Sequence, residues 1–273
     1  MSYFFRLMLG LAVSFFFIAT PMSLAETVGN SGTINIPYGP GIMGFETTKY
    51  GSIKVGAESV IILEKKLTET TAVNSPELEG QIYLIKLAYR WRDRVEPFIK
   101  LGLGELIATW SESGAEVKAE GRRQIAWEFG GKVLLFESVK HGLRMNLFGS
   151  FLKSSPGVEM LKIDDVEYEA LSQKEFTFSE WQAGFIVSYE VINKNTPYVA
   201  IVPYVGVRYS DSELALRVQR EAGAIYTPGA PDSEKTIGLI TGFDMAVEDS
   251  VTLGIEGRFL DENALTVGFT VLF

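Results

Sequence analysis

Along most of this chain apolar residues recur at every second position, the period of a β-strand whose two faces meet different surroundings. Between Gly51 and Leu63 the odd positions carry Ile53, Val55, Ala57, Ile61 and Leu63, with Lys54 and Glu58 on the even face. Tyr83, Ile85, Leu87, Tyr89 and Trp91 alternate with Lys86 and Arg90, and Pro97, Ile99, Leu101 and Leu103 with Lys100, Gly102 and Gly104. The pattern returns in Ile125 to Leu135 against Glu128 and Lys132, and in Leu143 to Phe151 against Arg144 and Asn146. It continues in Trp181 to Tyr189 against Glu180 and Gln182, and in Val199 to Tyr209 against Gly206 and Arg208. Three last runs are Ile237 to Val247 opposite Asp244, Val251 to Phe259 opposite Glu256 and Arg258, and Leu265 to Phe273 opposite Thr266, Gly268 and Thr270. A lysine or arginine facing the lipid midplane costs roughly 2 to 4 kcal/mol, which puts the charged face inside and the apolar face outside. The pattern predicts an all-β fold: a transmembrane, antiparallel, up-and-down barrel of about ten strands over residues 50–273, an even number as single-chain bacterial barrels have.

Connection lengths add a polarity. Long polar links run near Lys66 to Glu79, Ser111 to Gly121, Ser154 to Lys174 and Ser210 to Lys235. Between them lie tight turns at Arg92 to Arg94, Glu137 to Gly142, Asn193 to Asn195 and Glu248 to Ser250. The last link, Asp261 to Asn263, is short although it falls on the long-loop side. Outer-membrane barrels place short turns in the periplasm and long loops outside the cell, so both termini are expected to be periplasmic. Tyr50, Trp91, Trp110, Trp181, Tyr189, Tyr209 and Phe259 sit near expected strand ends, where interfacial aromatic girdles belong.

The start of the chain reads as an export signal. Arg6 gives a positive n-region, Leu7 to Ile18 an apolar core, and Ser23-Leu-Ala25 a small-x-small cleavage site, so residues 1–25 are expected to be removed. The apolar run is shorter than the roughly 20 residues a spanning helix needs. Residues 26–49 are rich in Gly and Pro, with only Thr33 to Ile36 able to form a short strand; they read as a periplasmic lead-in or a small plug folded into the barrel. The formal net charge is −9, and losing the leader with its single charge, Arg6, leaves −10. No basic patch suits nucleic acid. The absence of cysteine excludes disulfides and thiolate metal sites, and no cofactor or metal is expected.

Several stretches resemble small bacterial outer-membrane barrels of the opacity and OmpW-like kind. Pro197 to Tyr209 is similar to their recurrent Pro-Tyr-Val-Gly strand, and Glu96 to Gly104 is a weaker copy. Gly242-Phe-Asp244, Val251 to Arg258 and the terminal Phe273 look like that superfamily's closing hairpins. The last strand, with Phe269, Val271 and Phe273 on one face, resembles the sorting and assembly signal of these proteins. The resemblance implies a bacterial outer-membrane location, contact with membrane lipid and lipopolysaccharide, and insertion by the barrel-assembly machinery. Members share architecture and little function, so it implies no activity.

The inward charges are the most suggestive chemistry. Lys54, Lys86, Arg90, Lys100, Lys132, Arg144, Arg208 and Arg258 share the expected lumen with Glu58, Glu128, Glu180, Asp244 and Glu256. One reading is an interior filled by ion pairs, since barrels of about eight strands are just filled by their side chains. The other is a narrow passage with a basic wall that favours small anions. An enzyme ranks third. Resemblance to the omptin proteases would require an Asp-His dyad on the loop rim, and the single histidine, His141, falls in a short turn beside Gly142. The acidic stretch Glu159, Asp164, Asp165, Glu167 and Glu169 lacks the spacing of a calcium loop and reads as solvated. The alternation from Glu213 to Val218, followed by Ala222 to Tyr226, suggests either two strands extending beyond the membrane as a hairpin with an adhesive or partner-binding edge, or an ordinary loop extension. The chain is thus expected to be a non-enzymatic outer-membrane barrel with a structural or surface-interaction role; the runner-up is a small diffusion channel and the third reading a barrel hydrolase.

Overall fold

The structure, a computed structural model, describes residues 51–70, 73–91, 94–112, 114–138, 141–164, 166–169, 172–192, 199–219, 225–226, 232–247 and 251–273. The expected leader, the lead-in or plug with Thr33 to Ile36, Tyr50, and the turns at 92–93, 193–195 and 248–250 lie outside the described residues.

The strands are β1 (Gly51–Lys66), β2 (Asn74–Trp91), β3 (Val95–Glu112), β4 (Ala115–Gly121), β5 (Gln124–Ser138), β6 (Leu143–Ser154), β7 (Val158–Ile163) and β8 (Val166–Glu169). They continue with β9 (Ser172–Tyr189), β10 (Val191–Ile192), β11 (Val199–Gln219), β12 (Ile225–Tyr226), β13 (Ile237–Val247), β14 (Val251–Phe259) and β15 (Asn263–Leu272). Ten of them close a barrel in the circular order β1, β2, β3, β5, β6, β9, β11, β13, β14, β15 and back to β1, every pair antiparallel. The seam is sealed by the chain's last residue: Phe273 N–H donates to Ile53 O at 2.8 Å and Ile53 N–H to Phe273 O at 3.3 Å. Closure gives each of the ten ring strands a paired neighbour on both sides without a partner molecule.

One rim carries the short turns and both described ends. There Gly142 adopts φ +66°, a turn conformation that strains a side chain, and its carbonyl accepts the Glu190 N–H at 2.8 Å. The other rim is taller on one side. β13, β14 and β15 have 11, 9 and 10 residues, about what a tilted strand needs to cross a bilayer. β2, β3 and β9 have 18 each and β11 has 21, so they continue past that height.

Most of the expected long loops are therefore strand. The Ser111 to Gly121 link is a turn into β4, which pairs with the upper part of β3, and β7 and β8 extend that sheet. The expected hairpin forms, with Ile225 and Tyr226 of β12 pairing Gln219 and Val218 of β11, but its first arm is not a free edge: β11 also pairs with β9 from Glu213 to Arg217, and Glu213 bridges Asp232. Residues 232–233 join the far ends of β1 and β11 through Leu67–Ser233 and Glu213–Asp232, over the gap left by the shorter strands. The reason is that inward alternation persists in these stretches with apolar rather than charged residues, as in Leu78, Ile82, Val117, Ala119, Leu214 and Leu216.

Outside, the odd-numbered apolar residues are exposed, Ile85, Leu101, Val205 and Ile237 each by more than half, and the band they form runs around the barrel. A continuous apolar band of this kind belongs in lipid. Trp91, Trp181, Tyr189, Tyr209 and Phe259 lie on this outer face, but Trp110 does not. It is 4% exposed and packs among Leu106, Val117 and their neighbours, because it is an even residue on the inward face of β3, in the part that rises above the membrane band.

Candidate functional site

The interior of the barrel holds the chain's unusual chemistry. All thirteen residues proposed from alternation to line the lumen, Lys54, Glu58, Lys86, Arg90, Lys100, Glu128, Lys132, Arg144, Glu180, Arg208, Asp244, Glu256 and Arg258, are buried. Five further charged residues join them: Lys65, Glu96, Glu190, Asp261 and Glu262. The thirteen comprise eight cations and five anions, but the full set of buried charges among the described residues is nine and nine. The cationic surplus seen in the sequence is thus absent from the interior.

Three networks hold most of these charges. Toward the short-turn rim, Glu96 receives Lys54 at 2.6 Å, Lys86 at 3.2 Å and Lys132 at 3.8 Å. Lys100 pairs with Glu58 at 2.5 Å and Glu128 at 2.9 Å. Lys86 and Lys100 are direct cross-strand partners on β2 and β3, a placement that is repulsive by itself. Both ammonium groups lie 5.0 Å from the centre of the Phe98 ring, which together with the three glutamates offsets the repulsion. At the rim itself Arg144 pairs with Glu137 and Glu190, each at 2.8 Å.

The third network crosses the lumen. Lys65 on β1 reaches Glu180 on β9 at 2.5 Å, and these strands stand five places apart in a ring of ten, on opposite walls. Lys65 also pairs with Glu262 at 3.1 Å. Arg208 binds Glu262 at 2.8 Å and Asp261 at 2.5 Å, and Arg258 binds Glu262 at 2.9 Å. Asp261 and Glu262 form the tip of the short β14–β15 hairpin, which folds into the barrel rather than out. Leu260 makes the turn at φ +80°, a left-handed conformation that costs a leucine on the order of 1 to 3 kcal/mol and persists only where its surroundings hold it. The three cations beneath the tip supply that hold.

An apolar core packs against this network, with Leu152 the cross-strand partner of Glu180 and Lys65 Nζ 5.9 Å from the centre of the Phe178 ring. Ile62, Leu78, Leu106, Trp110, Leu152, Leu161, Phe176, Phe178 and Leu214 belong to one buried cluster drawn from β1, β2, β3, β6, β7, β9 and β11. Lower down, Phe148, Ile186, Tyr204 and Ile240 fill the wall side near β13. Phe148 fits because Gly184 faces it: a Cβ on that glycine would stand 2.5 Å from the ring.

Reading by alternation missed Lys65 because of a β-bulge. The β1–β2 register shifts between Ile62 and Lys65, which exchanges the inward and outward positions and turns an odd residue inward. The signal available was the unbroken run Val60 to Leu63, where alternation fails. Glu96 occupied an inward even position beside Pro97, and Asp261 and Glu262 lay in a turn where period two carries no information.

The other expected sites are placed plainly. His141 Nδ1 lies 2.9 Å from Ser138 Oγ at the short-turn rim. In the acidic stretch, Asp164 accepts the Glu116 N–H at 3.0 Å and Glu167 pairs with Lys162 at 3.2 Å. Phe269, Val271 and Phe273 are half-buried on the barrel seam, toward the short-turn rim.

No family model matches the chain, and no curated protein is similar to it. Among solved structures it is similar to the translocator domain of the autotransporter NalP from Neisseria meningitidis, with 15% identity, 81% of this chain and 88% of that one covered, and a TM-score of 0.39. It is similar to the outer-membrane protease OmpT from Escherichia coli, with 9% identity, 82% and 96% covered, and a TM-score of 0.43. For the outer-membrane protein OprG from Pseudomonas aeruginosa the values are 8% identity, 82% and 96% covered, and a TM-score of 0.36. These are likenesses of barrel architecture. The fold is the closed antiparallel barrel that the resemblance to small outer-membrane barrels implied.

Proposed function

We propose that this chain is an integral outer-membrane protein of structural or surface-interaction role, a sealed barrel that conducts no solute, catalyses no reaction and presents its long-loop rim to the cell exterior. The observation that carries the reading is the Lys65–Glu180 pair, which joins opposite walls against a continuous apolar core. A water-filled path would have to break that pair and wet buried Phe176 and Phe178. Charge balance supports the same reading, since a passage selecting anions needs a net positive wall. In this orientation the short turns and both ends of the barrel face the periplasm, the outward apolar band meets membrane lipid, and the terminal strand with Phe269, Val271 and Phe273 is what the assembly machinery engages.

Single-channel recording of the refolded protein in a planar bilayer across a salt gradient tests this. The expected result is no conductance steps from protein whose far-UV circular dichroism shows intact β-structure. Stable openings with anion preference would replace the proposal with the small diffusion channel.

A further inference from the structure

The sheet that β4, β7 and β8 build above the membrane band stops at β8. That strand pairs with β7 through Ile163–Val166 and Leu161–Tyr168, and among the described residues no strand pairs with its far side. The apolar lining of the sheet stops at the same place. One cross-strand row runs through Trp110, Val117, Ile163 and Val166, and the next through Ala108, Ala119, Leu161 and Tyr168. In the first row Trp110 and Val117 are buried and Ile163 packs against the core, whereas Val166 is 53% exposed. In the second, Leu161 is 1% exposed and Tyr168 47%. Residues directly opposite share a face, so Val166 and Tyr168 continue the lining without being covered by it. An unpaired row of N–H and C=O groups therefore coincides with two half-covered apolar side chains, a deficit that one further strand removes.

Charge restricts what that strand can be. Residues 158–169 carry Glu159, Asp164, Asp165, Glu167 and Glu169 against a single lysine, Lys162. Lys162 is already shared between Glu120 at 3.3 Å and Glu167 at 3.2 Å. Glu116 and Asp164 are exposed beside the β7–β8 turn, where Glu116 N–H donates to Asp164 Oδ1 at 3.0 Å. Glu167, between Val166 and Tyr168 in sequence, takes the opposite face of β8, so a strand laid along this edge meets an apolar inner face and an acidic outer one. A second copy of β8 brings the same acids and is repelled. Edge strands are commonly blunted by Lys, Pro or a bulge; β8 has only its four-residue length and its glutamates, and glutamates leave a basic strand unopposed.

We propose that the far edge of β8 binds an extended, basic segment of another polypeptide, which adds to the sheet as its next strand. Apolar residues of that segment alternate onto Val166 and Tyr168, and its lysines or arginines meet the acids of the outer face. The inference deepens the surface-interaction reading above and rests on it only in that this rim faces the cell exterior.

Fluorescence anisotropy of a labelled Lys-Val-Lys-Val-Lys-Val peptide, titrated with the refolded protein in non-ionic detergent, tests it. Saturable binding that empty micelles do not give is expected, together with slower hydrogen exchange in β8. The isomeric Lys-Lys-Lys-Val-Val-Val peptide, equal in charge but without alternation, is expected to bind about ten-fold more weakly, and Glu-Val-Glu-Val-Glu-Val not at all. Tyr168→Ala and Glu167→Lys are each expected to weaken the alternating basic peptide about ten-fold, and Glu79→Gln on β2 to leave it unchanged. Equal binding of the two basic peptides, unchanged binding by the Tyr168→Ala/Glu167→Lys double variant, or no slowing of exchange in β8 at saturating peptide overturns the proposal. Peptide binding in detergent does not depend on orientation, so cleavage of the long loops by protease added to intact cells tests that separately.

Discussion

On the short-turn side of the interior, Glu96 lies fully buried among Lys54, Lys86 and Lys132; on the long-loop side, Phe178 lies equally buried among Leu106, Leu152 and Phe176. The two regions occupy the inside of the same strands, yet the first is dominated by charge, with Phe148, Ile186, Tyr204 and Ile240 along one wall, and the second is filled by hydrocarbon. The lower region is surrounded by the lipid-facing band and the upper one rises beyond it. Within the band the outer face is committed to apolar residues, and most of the interior is held by directed ion pairs, with the Phe148–Ile186–Tyr204–Ile240 cluster filling one wall. Beyond the band the outer face meets water, and the sheet behaves as a soluble barrel with an apolar core and a polar exterior. The boundary between the regimes is the Lys65–Glu180–Glu262–Arg208 network.

The largest expected effect that sharpens this contrast comes from Glu96→Gln. It leaves three buried ammonium groups without their shared anion, a loss of about 3 to 5 kcal/mol by analogy with broken buried pairs. Urea-gradient unfolding in lipid vesicles reads it, and a midpoint unchanged from the unaltered protein would mean that water rather than Glu96 neutralises those lysines. Leu106→Ala comes next. Its cavity is expected to cost about 2 to 5 kcal/mol, but the damage belongs to the upper region, so limited proteolysis of the long-loop side should accelerate while the membrane band stays protected. Equal protection in both regions would erase the division drawn here.

The smallest effect concerns Glu120, between Lys118 at 3.2 Å and Lys162 at 3.3 Å on the part of the barrel beyond the membrane. Partial burial would raise its carboxyl, but hydrogen bonds from Lys118 and Lys162 outweigh that and hold it below the usual carboxylate range. A lowered folded-state value contributes stability that is present above the ordinary carboxylate range and lost as pH falls through the lowered value. The group is a third exposed, so the contribution is at most about 1 kcal/mol. Comparing Glu120→Gln with the unaltered protein at neutral and acid pH checks it: the difference is expected near neutrality and should vanish in acid.

Much of the interior was legible from sequence for one reason. Lys86, Arg90, Lys100 and Glu128 sit on uninterrupted strands, where a two-residue period converts residue number into a side of the sheet without knowledge of any neighbour. Lys65 was not legible because the bulge between Ile62 and Lys65 resets the period. Trp110 was misplaced because its nearness to a strand end was read as a girdle position, although as an even residue of β3 it shares the inward face of Lys100 and Leu106. Asp261 and Glu262 were hidden by their turn, whose inward fold depends on cations contributed by β1, β11 and β14.

Sequence by itself determined that this chain forms a closed antiparallel barrel of about ten strands with an apolar outside, because that much follows from local alternation and the cost of charge in lipid. Which charges neutralise one another, where the interior changes from ionic to apolar, and whether its charges balance were decided only in three dimensions. Lys65 and Glu180 are 115 residues apart in the chain and meet only because closing the ring sets their strands face to face across it.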